Sequence, residues 1–255
     1  MRKESIPGGR GYDVPCIYDI SGREKTICLV IHGFGSSKES VTAKMLLEAL
    51  PPLGIGVIAF DHPAHGESPV DGEFLRVSNS LADLAAVEAR ARVLAPEAEI
   101  VYFASSFGAY IALIYLAATE SDKRRRAFLR CAAVSMPCVF TGRLTEEYKA
   151  GLAAAGEFTL DKEEYGYIRD LKITRGFLDD LEQNDVFALW REDFAELRMI
   201  HGESDQTVPL GDAQSFAKMF GVPLTVIPNG DHQLSVPGAP EQVLKLATEF
   251  FRAES

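Results

Sequence analysis

The sequence predicts an α/β fold: a mostly parallel central sheet with helices on both faces and a cap inserted late in the chain. Three observations carry this. Wholly apolar runs such as Lys25-Thr-Ile-Cys-Leu-Val-Ile31 and Gly56-Val-Ile-Ala-Phe60 alternate with helical stretches, the pattern of strands buried on both faces. The stretches between them are long enough for right-handed crossovers. From about 140 to 193 the alternation gives way to a charged segment, helical in tendency and dotted with aromatics, and then it resumes. At 255 residues, 47% of them hydrophobic, the chain is long enough to bury this core as one domain, residues 1–255, with the cap at about 140–193.

Each element follows in order. Two N-terminal runs, the second around Val14–Ile20, read as antiparallel strands. The strand 25–31 ends in His32-Gly-Phe-Gly-Ser-Ser37, and a helix from about Lys38 to Leu50 stops at Pro51-Pro52. Strand 56–60 runs into Asp61-His-Pro-Ala-His-Gly-Glu-Ser68. Leu81, Leu84, Val87, Ala91 and Leu94 give helical spacing over about Val77–Leu94. Strand 99–103 is followed by helix 107–118, apolar nearly all round and so buried, and then by a strand Phe128–Val134. Beyond the cap come strand 197–200, a helix near 210–219, strand 224–227 and a closing amphipathic helix 240–252.

Composition excludes several classes. A net charge of −11 argues against nucleic acid or an anionic membrane as partner. No apolar stretch approaches the roughly 20 residues of a membrane span. No apolar run follows the first basic residues, so a cytoplasmic location is expected. The basic run Lys123-Arg-Arg-Arg126 reads as a solvated turn. Cys16, Cys28 and Cys131 sit in or beside strands and read as small buried thiols, whereas Cys138 follows a strand end where a pocket could lie. No cofactor or metal pattern is present. The expected partner is a small molecule, with a homodimer left open.

The stretch Ala104-Ser-Ser-Phe-Gly108 lies where strand turns sharply into helix. A serine at such a turn is strained, and the residues two before and two after it must be small. For Ser106 these are Ala104 and Gly108; for Ser105 they are Phe103 and Phe107. Ser106 is therefore the candidate nucleophile. It needs a general base. His32, His62, His65 and His201 all suit structural roles, while His232, in Asn229-Gly-Asp-His232 after the last strand, opens at the same carboxyl edge. The carboxylate that orients it should follow the preceding strand, in His201-Gly-Glu-Ser-Asp205, with Asp205 favoured and Glu203 in reserve. Ser, Asp and His then occur in the order this architecture demands. Two N–H donors should receive the oxyanion: Phe107, directly after the serine, and Phe34, in the His32-Gly-Phe-Gly loop.

At these residues the chain resembles the serine α/β-hydrolases over nearly its whole length. It is most similar to the compact carboxylesterases that include the cinnamoyl and feruloyl esterases, close to the monoglyceride-lipase and serine-aminopeptidase-like group. The marks are His32-Gly-Phe-Gly, Phe60 to Ser68, the turn at Ser106, Gly202-Glu-Ser-Asp205 with Val208-Pro209, and Gly230-Asp-His232. The resemblance implies a serine esterase working through an acyl-enzyme, with Ser106, His232 and Asp205 as nucleophile, base and acid. It implies Phe34 and Phe107 as oxyanion donors. Ala104-Ser105 before the nucleophile, and Phe107 and Ala109 after it, depart from that group and make the wall beside the serine more apolar.

Thr141–Asp193 carries thirteen acidic and seven basic residues, which reads as a solvated outer face; charge facing the pocket would instead disfavour anionic substrates. Two other readings stand beside the esterase. A peptidase or amidase would need a cap carboxylate to bind a substrate amine, and a silent binding protein would have lost one of the three residues. A haloalkane dehalogenase is disfavoured because serine, not aspartate, occupies the turn.

Overall fold

The structure is a computed structural model describing residues 1–119, 125–142 and 144–252. Strands β1 (Arg2–Pro7) and β2 (Asp13–Asp19) are followed by β3 (Thr26–Ile31), α1 (Val41–Ala49), β4 (Ile55–Phe60), α2 (Val77–Leu94), β5 (Glu99–Ser105), α3 (Phe107–Ala118) and β6 (Arg126–Arg130). Next come α4 (Met136–Thr141), α5 (Glu146–Ala155), β7 (Glu157–Leu160), α6 (Lys162–Tyr165), β8 (Leu171–Thr174), α7 (Arg175–Gln183) and α8 (Val186–Leu189). The chain closes with β9 (Glu196–Gly202), α9 (Leu210–Met219), β10 (Leu224–Ile227) and α10 (Ala239–Arg252).

Eight strands form one sheet in the order β1-β2-β4-β3-β5-β6-β9-β10. β1 and β2 pair antiparallel with each other, as does β2 with β4; every other neighbour is parallel. Alternate side chains of β3 enter opposite layers: Ile27, Leu29 and Ile31 join α2, α3 and α9, whereas Cys28 and Val30 join α1 and α10. Both faces are covered, which is why these strands read as unbroken apolar runs. Ser40 caps α1 by accepting from Ala43 N–H at 3.2 Å, and Gly54, at φ 80°, turns the chain into β4. Residues Phe107 to Leu116 of α3 are buried on every side. Among the described residues no helix is long and apolar enough to cross a membrane.

Three expectations are corrected. Strand β6 starts at Arg126 and ends at Arg130, short of Val134, because Cys131 takes φ 45° and turns the chain away. The basic run is not simply a solvated turn. Arg126 is 4% exposed and pairs with Glu99 at 2.7 Å, and Arg125 donates to the carbonyls of Leu116 and Phe194; Lys123 and Arg124 lie outside the described residues. The segment 140–193 is not only helical, since β7 and β8 form an antiparallel pair. Their alternation lasts four residues each, too short to stand out among charges. Cys16, Cys28 and Cys131 are buried and Cys138 is exposed.

Candidate active site

The carboxyl ends of β3, β5, β9 and β10 bring the site together. Ser105 is the last residue of β5, and Ser106 forms the turn into α3 with φ 52° and ψ −118°. Such a conformation costs on the order of 1–3 kcal/mol and needs firm support. Support comes from both sides of the peptide. Ser106 N–H donates to Arg130 O at 2.9 Å, and Ser106 O accepts from Ala109 at 3.0 Å and Tyr110 at 3.2 Å. A side chain at position 108 would press into the carbonyls of Ile31 and His32, so only glycine fits there, and Ala104 is wholly buried.

His232 Nε2 lies 3.1 Å from Ser106 Oγ, and its Nδ1 lies 2.7 Å from Asp205 Oδ2. The amides of Thr207 and Val208 each donate to Asp205 Oδ1 at 2.8 Å. His201 Nε2 lies 3.2 Å from Asp205 Oδ2 and 3.0 Å from Val208 O, so the shared proton sits on that nitrogen. Burial works to raise the Asp205 carboxyl, but hydrogen bonds from His201 and His232 outweigh it and hold the group well below the usual carboxylate range. Glu203, expected in reserve as the acid, accepts from Asn229 N–H at 2.9 Å and so braces the loop of His232 from outside. The two loops also touch directly, because a side chain at Gly202 would meet the carbonyls of Gly230 and Asp231.

Cys131, His201 and Asp205 place ligand atoms within 4.8 Å of one another, the one set of potential metal ligands among the described residues. Their protons point to hydrogen bonding. Burial pushes the Cys131 thiol up to about 12, and Asp205 is already engaged by both histidines.

The amides expected to receive an oxyanion are unused: neither Phe34 N–H nor Phe107 N–H has a protein acceptor among the described residues. The Phe34 loop runs beside the serine, where a Cβ at Gly33 would stand 3.2 Å from Ser106 Cβ. His32 fixes that loop. Its Nδ1–H donates to Gly33 O at 2.8 Å while its Nε2 accepts from His62 N–H at 3.2 Å. Burial depresses His32, His62 and His65, the last to about 3, which keeps the three rings neutral. Below them Lys38, 2% exposed, donates to Asp61 at 2.8 Å and Glu67 at 2.6 Å, tying this loop to the one after β4.

An apolar cavity of about 220 Å³ opens at Ser106 and His232, walled by Phe34, Val139, Phe140 and Leu160, with the hydroxyls of Tyr148 and Tyr165 paired at 2.9 Å. None of its lining residues is acidic, so the cap's carboxylates do not face it. The Phe107 ring, expected near the pocket, is instead wholly buried between His62, His65 and Phe177. The cap rests on the loop of Phe34. Gly35, at φ 73°, leaves no room for a side chain beside the Tyr167 ring, and Ile168 N–H donates to Gly35 O at 3.1 Å. Arg169 reaches Ser68 O at 2.9 Å, and Arg76 forks onto Asp180 at 2.6 and 2.8 Å.

Sequence reasoning assigned His201 a purely structural place and did not weigh Arg130, whose Nη2 donates to Gln233 O at 2.8 Å and His232 O at 3.3 Å. A charged residue ending an apolar strand at the carboxyl edge was the available signal for Arg130.

Residues 28–246 match the family model described as "Alpha/beta hydrolase family". No curated protein matches the chain. Among solved structures, one from Agrobacterium vitis S4 superimposes with TM-score 0.82 at 22% identity, covering 98% of each chain. Est1E from Butyrivibrio proteoclasticus, solved with ferulic acid bound, gives 0.80 at 20% identity over 98% of this chain and 100% of that one. An esterase from Pyrococcus furiosus gives 0.71 at 18% over 98% and 89%.

Proposed function

The chain belongs to the alpha/beta hydrolase family, and from that premise we propose that it is a serine hydrolase cleaving small carboxylic esters through an acyl-enzyme. The observation that carries this reading is the unbroken run from Ser106 Oγ through His232, 3.1 Å and then 2.7 Å, to a buried carboxylate, at the mouth of an apolar cavity. In the proposed reaction Ser106 Oγ attacks the ester carbonyl carbon and His232 Nε2 takes the hydroxyl proton. Asp205 holds the Nδ1–H and favours the imidazolium that forms. The oxyanion accepts from Phe34 N–H and Phe107 N–H. Collapse expels the alcohol, which receives the proton from Nε2. Water then attacks the acyl-enzyme with His232 again as base, releasing the acid and restoring Ser106.

The apolar cavity favours short or aromatic acyl groups, and the likeness to a structure holding ferulic acid supports the same choice. A peptidase would want a carboxylate in the cavity to bind an amine, and none lines it. The test is labelling by a fluorophosphonate probe together with hydrolysis of short-chain aryl esters. Labelling at Ser106 with ester turnover upholds the proposal. Faster cleavage of aminoacyl naphthylamides than of esters would replace it with the peptidase reading.

A further inference from the structure

A second cleft, of about 260 Å³, opens on the other side of the same serine. It shares Phe34, Ser106, His232 and Gln233 with the apolar cavity, and its remaining wall mixes the aliphatic Val30, Ile31 and Val41 with Ser36, Thr42 and Arg130, the one charged residue lining it. Arg130 dominates its chemistry. The residue is 6% exposed, yet among the described residues no carboxylate oxygen comes within the 4.0 Å of an ion pair. Its Nη2 is held by the His232 and Gln233 carbonyls, and among the described residues its Nε and Nη1 have no protein partner. The nearby carboxylates make their hydrogen bonds elsewhere. Asp231 accepts from Ser235 at 2.7 Å, and those bonds, helped by Arg130 from beyond ion-pair distance, hold it below the usual carboxylate range. Asp205 is bonded to the two histidines.

The other buried arginine of the same strand shows the contrast. Arg126 forks onto Glu99 at 2.7 and 3.1 Å and also donates to Phe250 O at 2.9 Å. A cation taken out of water without a paired carboxylate is costly, and the Nε–H and Nη1–H left over can each still donate to a carboxylate oxygen. We propose that Arg130 binds a carboxylate of the substrate in this cleft, so that the preferred esters carry an apolar group on one side of the scissile bond and a carboxylate on the other. The proposal rests on the hydrolase reading for the position of the scissile bond, though not for the anion site itself.

Two matched ester pairs test it. Acetoxyacetate against its neutral methylamide places the charge on the alcohol side; monomethyl glutarate against methyl 4-carbamoylbutanoate places it on the acyl side. Wild-type kcat/KM should favour the carboxylate member of one pair by about tenfold or more, the scale of a charge-assisted hydrogen bond. That pair identifies which half of the ester enters the cleft. Arg130→Gln should bring the ratio close to one, chiefly through KM, and Arg130→Lys should keep part of it. Because Arg130 also holds the base loop, the ratio is the readout and not the absolute rate. Equal treatment of both members in both pairs, or an Arg130→Gln enzyme that keeps the wild-type ratio, overturns the proposal. Calorimetric binding of monomethyl glutarate and of acetoxyacetate to Ser106→Ala separates the two ideas. Charge-dependent binding of either, with no ester cleaved by wild type, sinks the hydrolase reading alone, and cleavage without charge preference sinks the anion site alone.

Discussion

Replacing Asp205 by asparagine tests the hydrogen-bonded run most sharply, because the surroundings dictate how the amide must sit. The amides of Thr207 and Val208 both donate to Oδ1 at 2.8 Å, so the asparagine carbonyl stays there and its NH₂ takes the place of Oδ2. That NH₂ faces His232 Nδ1, formerly 2.7 Å from an acceptor. The imidazole then carries its proton on Nε2, toward Ser106, and can no longer accept one. In a serine protease this exchange lowers kcat by about 10⁴, which corresponds to about 5.5 kcal/mol of barrier. Here a second group suffers, since His201 Nε2–H lies 3.2 Å from the same oxygen and would confront a donor. One frustrated buried donor costs about 1–3 kcal/mol, or roughly 2–10 °C in Tm for a chain of this size. The expected result is a folded protein, slightly less stable, with kcat on an aryl acetate down by about 10⁴. A variant that retains more than about a tenth of kcat refutes the role assigned to Asp205, and a dead Glu203→Gln beside it would transfer that role.

Ser106→Ala should abolish aryl-ester hydrolysis while Ser105→Ala keeps much of it; the reverse outcome in a simple rate assay would move the nucleophile. Gly108→Ala should fail to accumulate as folded protein or lose several kcal/mol in denaturant titration, since the new methyl meets the carbonyls of Ile31 and His32. Asp83, hydrogen-bonded by Tyr12 at 2.9 Å, is pushed up to about 7 by burial, with the Tyr12 bond pulling the other way. The folded chain thus holds a proton that the unfolded chain releases near the reference value of about 3.9. The associated stability is complete below that value and is lost, up to ~4 kcal/mol, as pH rises to about 7. Urea melts at acid and alkaline pH should show this decline reduced in Asp83→Asn, and an unchanged decline would count against it.

The sheet was legible because its strands are buried on both faces and its helices carry long periodic signals. The choice of Ser106 over Ser105 came from steric size at the strand-to-helix turn, and Gly108 illustrates the physical basis: its neighbours are backbone carbonyls, which cannot move aside. His201 was less legible, because a histidine before a glycine at a strand end reads the same whether it packs or hydrogen-bonds. Arg130 gave only part of its signal in the sequence, a charge at the end of an apolar strand. Its meaning depends on the partners it lacks, and a missing counter-ion is visible only once every nearby carboxylate has been placed. The β7–β8 pair escaped because four-residue alternation is no stronger than chance in a charged segment.

The docking of Tyr167 and Ile168 onto Gly35 bears on how such an enzyme could be re-engineered or could diverge. A segment that both walls the pocket and leans on the neighbour of Phe34 is not an exchangeable module. Transplanting another cap would change which substrates fit and, at the same stroke, loosen the Phe34 amide, which in the proposed mechanism faces the developing charge, so selectivity and turnover would be inherited together. Variation confined to the outer, acidic faces of α5 and α7 would escape that linkage, whereas change at residues 166–169 would tax the rate on every substrate alike.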